Sequence, residues 1–143
     1  MADIVFIVRD ALASSLVGTL LAALEAKENG LDVGVLFTQE ALAAVAGGSF
    51  IWPRELSGQE MRYALADRGK ALGLPVAGRS ESRQLDAKGL IATAREKGVA
   101  LYACPWWSAL LGLGEQAPTG FQTVDRRGAL ALLRQAKQVV GSL

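Results

Sequence analysis

Three short apolar runs constrain this chain more than any other feature. They are Asp3–Val8 (DIVFIV), Asp32–Phe37 (DVGVLF) and Val99–Ala103 (VALYA). None alternates polar with apolar residues, so each suits a strand buried on both faces. Between the first two, Leu12, Leu16, Val17, Leu20, Leu21 and Leu24 recur at helical spacing, and Gly30 supplies a stop. Strand, helix, strand in this rhythm demands parallel pairing through right-handed crossovers. The expected architecture is an α/β three-layer sandwich with four or five mostly parallel strands and helices on both faces.

Other elements follow from local signals. Thr38 can cap a helix from Gln39 to Ala46. Ser82 or Asp86 can cap another, running to Lys97 with Leu90 and Ile91 inward and Gly98 as its stop. Cys104-Pro105 opens a short helix toward Leu113, and Gly112–Gly120 reads as a loop. Phe121–Val124 (FQTV) reads as a weaker strand, and Arg127–Val140 as a closing helix carrying Leu130, Leu133, Ala136 and Val140. Residues 47–85 break the rhythm. This insert-like stretch holds Phe50-Ile51-Trp52, a helix from Gly58 to Leu72, a short extended piece at Leu74-Pro75-Val76 and a polar loop from Gly78 to Arg83. It is too short for a core of its own, so residues 1–143 are expected to form one domain.

Composition narrows the function classes. The 143 residues are 51% hydrophobic and 20% charged, which is globular. A net charge of +1 with both signs dispersed argues against nucleic-acid binding. The first residues, MADIVFIVRD, carry an acid and no basic leader region, and the uncharged run Ala11–Leu24 is too short to span a bilayer. A cytoplasmic protein without a membrane span is expected. The chain has one cysteine and no histidine. An internal disulfide, Ser-His-Asp catalysis, Cys-His proteolysis and most zinc sites are thereby removed. No cofactor and no metal is expected.

In parallel sheets chemistry gathers beyond the carboxyl ends of the strands. Those ends are Arg9-Asp10, Thr38-Gln39-Glu40, Cys104-Pro105 and Asp125-Arg126, and only one offers a nucleophile. Cys104 falls at the N-cap position and Pro105 opens the helix, so free backbone amides would favour a sulfur anion there. The plain alternative is a small buried hydrophobe. Trp106 and Trp107 follow directly and point about 100° apart on a helix. Either one lines the mouth of the site or a subunit interface, or one packs inside and the other lies flat on the surface. Asp10 and Thr38 sit at neighbouring strand ends as candidate binding groups, although caps and solvated turns are the commoner role of such residues. Arg54, Arg62 and Arg68 could recognise an anion, against the simpler reading of a solvated helical face.

Three stretches give the chain a resemblance to the DsrE/DsrF-like sulfur-relay family: LDVGVLFTQEAL (Leu31–Leu42), GLIATAREKGVALYACPWWSALLGL (Gly89–Leu113) and TGFQTVDRRGALALL (Thr119–Leu133). The strand ending in Ala-Cys is the specific part. The resemblance implies a flavodoxin-like fold, a homo-oligomer (trimer or hexamer), and a persulfide on Cys104 passed to a TusA-like or DsrC-like partner. A non-enzymatic oligomeric binding module, with Cys104 structural, is the expectation from a different class. A thiol peroxidase is a third, disfavoured by the missing resolving cysteine.

Overall fold

A computed structural model of the chain describes residues 2–114 and 117–141. Four parallel strands form the central sheet: β1 (Ile4–Val8), β2 (Val33–Phe37), β5 (Ala100–Ala103) and β6 (Gln138–Val140), in the order β5-β2-β1-β6. Helix α1 (Ala13–Glu28) carries the chain from β1 to β2, and α4 (Ala87–Glu96) leads into β5. Both crossovers move in one direction along the sheet, so right-handedness places their helices on one face, and α1 packs on α4. Reaching β6 requires a reversal past β1, which sends α6 (Arg126–Gln135) over the opposite face. Two short helices, α2 (Gln39–Val45) and α5 (Pro105–Leu110), start at the carboxyl ends of β2 and β5.

β2 lies between two neighbours, and all five of its residues are buried, as its unbroken apolar run requires. Gly34 within it leaves room for the Tyr102 ring, which lies against the position a Cβ would take. The core joins Phe6, Val8, Val35, Phe37 and Leu101 of the sheet to Leu16, Leu20 and Ala23 of α1 and to Leu90, Ile91 and Ala94 of α4.

The two elements nearest the C-terminus differ from expectation. Phe121–Val124 forms no strand; it makes one isolated bridge, Tyr102 to Gln122, with the Gln122 N–H donating to the Leu101 carbonyl at 2.7 Å. The closing helix stops at Gln135, and Ala136 turns extended (ψ 138°) to feed β6. Without β6, the hydrogen-bonding edge of β1 would stand open. Asp3 ties this edge together. Its carboxylate accepts from the Asp32 N–H (2.7 Å) and pairs with Lys137 (2.9 Å), while its carbonyl accepts from Gln138 (3.0 Å). The Asp32 amide first, and the Lys137 ammonium second, hold the Asp3 carboxyl below the usual carboxylate range.

The insert-like segment folds as helix α3 (Gln59–Ala71) against an antiparallel hairpin of β3 (Val76–Ala77) and β4 (Gln84–Leu85). α3 approaches so closely at Gly69 that a Cβ there would collide with the Leu85 side chain. The hairpin is tied to the main body where the Asp86 N–H, at the N-cap of α4, donates to the Pro75 carbonyl (3.0 Å).

Candidate site at the carboxyl ends of the strands

Directly after β5 comes Cys104, which is extended (φ −61°, ψ 122°) and forms the N-cap of α5 with Pro105 at its first turn. The restriction that proline places on its predecessor accounts for that conformation. The Cys104 N–H donates to the Phe37 carbonyl (2.9 Å), and its carbonyl accepts from Ser108 (2.9 Å). Cys104 is only 4% exposed and belongs to the central core cluster. Its side chain makes no capping hydrogen bond. With only six residues in α5, the helix terminus is a short one. In this state the thiol is packed rather than poised over amides.

The neighbouring strand ends bring Thr38 and Asp10 into the same row. Thr38 follows β2, is 9% exposed, and donates its N–H to the Val8 carbonyl at 3.0 Å. Gln39, next in line, has φ 52°, a left-handed conformation that a side chain resists. Asp10 follows β1, but its carboxylate is occupied: one oxygen accepts from the Leu12 N–H (3.0 Å), the other from the Ser15 hydroxyl (3.2 Å). That is the capping role for the start of α1, whose N-cap residue, Leu12, has no polar side chain to offer. Trp106 and Trp107 are both half-buried, and both pack against the core cluster. Trp52 lies elsewhere, in a small cavity of the insert-like segment with Leu56, Arg62, Leu65 and Leu85.

Near the end of β5 runs an open groove of about 840 Å³, whose lining does not include Cys104 itself. Ala103 and Pro105, on either side of Cys104, form part of its wall with Ala109, Ala117 and Val124. Ser108, Thr123, Asp125, Arg126 and Arg127 supply its polar groups. Asp125 accepts from the Gly128 N–H as the N-cap of α6. Neither arginine has an ion-pair partner among the described residues. Arg127 and Thr123 were not singled out by the sequence pattern. The legible signal was Asp-Arg-Arg-Gly, a capping aspartate three residues before a glycine, which marks the helix start at Arg126.

Chemically, the site offers one thiol, hydroxyls and two guanidinium groups. Burial, and then the Asp32 charge, push the Tyr102 phenol above the usual range. Among the described residues no group of three or more histidine, cysteine, aspartate or glutamate side chains could hold a metal ion. No helix among them is long and apolar enough to cross a membrane.

No family model matches the chain, and no curated protein sequence matches it significantly. Among solved structures, the crystal structure of the ychN protein from E. coli is similar over 99% of this chain and 99% of that chain, with a TM-score of 0.60 at 16% identity. At that identity the likeness concerns the fold alone. The chain therefore has the flavodoxin-like fold, a parallel four-stranded sheet flanked by helices, that it shares with the ychN protein.

Proposed function

We propose that this chain is a sulfur carrier that holds a persulfide on Cys104 and passes it to the thiol of a partner protein. The observation that carries the reading is the position of Cys104: the one thiol, at the carboxyl edge of the sheet, between two residues that wall the large groove. The Cys104 thiolate attacks the outer sulfur of a donor persulfide, forming a new S–S bond and releasing the donor thiolate. An acceptor thiolate then attacks the outer sulfur on Cys104, and the Cys104 thiolate leaves. No net oxidation occurs, and with one cysteine the release is intermolecular. Because Cys104 is packed, the first turn of α5 must lift for either attack.

In this reading the acceptor is a small TusA-like or DsrC-like carrier, the setting is cytoplasmic, and the chain works as a homo-oligomer. Incubation with a persulfide donor should add the mass of one sulfur atom to the protein. The same addition to Cys104→Ser, or none to the wild type, would overturn the proposal.

The burial of Cys104 specifically favours a second reading, an oligomeric module that binds a small ligand or partner segment in the groove while the cysteine is structural. There, Cys104→Ser leaves binding intact and Arg126→Gln or Arg127→Gln weakens it.

A further inference from the structure

The insert-like segment carries a second concave site, which shares no residue with the groove near the end of β5. A cavity of about 440 Å³ lies between the end of α3 and the loop that links β3 to β4. Its floor is apolar, from Ala66, Leu74 and Val76. Its rim is cationic, with Lys70, Arg79 and Arg83 against the single acid Asp67.

That acid is already engaged. Arg83 clamps Asp67 through two N–H groups at 2.9 and 3.2 Å, and donates a third to the Ser80 carbonyl at 2.6 Å. The Tyr63 ring lies 4.2 Å from the same guanidinium. Arg83 is therefore fixed in place, with N–H groups left over. Lys70 and Arg79 are exposed, and neither has an ion-pair partner among the described residues. The loop between them is shaped at a cost. Ser80 sits at φ 50°, and Gly78, at φ 77°, has no room for a side chain against Ser82.

We propose that this cavity binds a small organic oxyanion, with the apolar body on the Ala66–Leu74–Val76 floor and a phosphate or carboxylate head between Lys70 and Arg79. A bare inorganic ion would use the rim and leave the floor unused. Neutralised Asp67 removes the nearest repulsion to such a head group. The site is independent of the thiol chemistry.

Isothermal titration of the full chain with phenyl phosphate, phenylacetate and inorganic phosphate tests this. Saturable binding of one phenyl compound per chain is expected, tighter than that of inorganic phosphate and weakening with added salt. The preferred phenyl compound identifies the head group. Lys70→Gln and Arg79→Gln should each weaken it about tenfold, while Cys104→Ser binds as the wild type does. Two results would overturn the proposal. One is the absence of saturable heat with either phenyl compound at millimolar concentration. The other is unchanged affinity in the Lys70→Gln, Arg79→Gln double variant, with its helix content intact by circular dichroism.

Discussion

Phe37 and Phe121 meet edge to face, their centroids 4.9 Å apart and their planes at 78°. Phe37 is fully buried at the end of β2, and its carbonyl holds the Cys104 N–H. Phe121 anchors the loop whose later residues, Thr123 and Val124, wall the groove. Replacing either ring with leucine keeps apolar bulk and removes the ring contact. Phe37→Leu should cost roughly 1–2 kcal/mol, and Phe121→Leu, at a partly exposed site, roughly 1 kcal/mol. Edge-to-face pairs contribute about 0.5–1.5 kcal/mol beyond buried area, and the second substitution finds that contribution already gone. The double variant should therefore be less destabilised than the sum by that amount. Urea denaturation of all four proteins at one concentration measures the coupling, with m-values checked for constancy. In thermal melts each kcal/mol corresponds to about 2–4 °C for a chain of this size. Coupling below about 0.3 kcal/mol, the usual noise of additivity, would refute the pairing argument. Thiol labelling of the native proteins adds a functional readout. Phe121→Leu should raise the Cys104 reaction rate, because the loop beside β5 loses its anchor.

Two further outcomes are expected. The Asp3 carboxyl titrates lower in the folded state than in the unfolded chain, so its stabilisation is present above about pH 4 and is lost as pH falls through the folded value. Asp3→Asn should then differ from the wild type at neutral pH and converge with it in acid; a gap that persists in acid-unfolding curves would contradict this. At the start of α6, Asp125→Ala should cost about 1 kcal/mol through the lost cap, with Asp125→Ser recovering most of it. Equal denaturation midpoints for the Ala and Ser variants would show that the side-chain cap is not the cause.

Elements with a local signature were legible in the amino-acid pattern. β1, α1, β2 and β5 combine unbroken apolar runs with helical spacing and end within a residue or two of their expected bounds. The N-cap place of Cys104 was written in Cys-Pro. The tail misled because Leu130, Leu133, Ala136 and Val140 keep helical spacing, yet Leu130 is 52% exposed and the helix stops before Ala136. The β-branched pair Val139-Val140 was the competing signal, and the partner that decides the matter lies at the other end of the chain. Burial of the thiol was equally hidden. It depends on how Trp106, Trp107 and the Phe121 loop pack around the end of β5, which no spacing encodes. The cationic rim of the insert was missed for a similar reason. Arg54, Arg62 and Arg68 share a helical neighbourhood in sequence, but the hairpin brings Arg79 and Arg83 to Lys70 instead, while Arg62 is tied to the Glu81 carbonyl.

The pairing of β6 with β1 has a consequence for how the chain is made. Ile4 and Gln138 are in register across about 130 residues of intervening sequence, so this contact is among the costliest in loop entropy and is supplied later in synthesis than the rest of the sheet. During translation β1 can pair with β2 early but keeps one flank bare until Gln138–Val140 has left the ribosome. That interval is when the nascent protein is most open to strand-to-strand association with its own kind or capture by a chaperone. The Lys137–Asp3 pair and the Gln138 amide then act as a latch whose closing covers the open flank of β1.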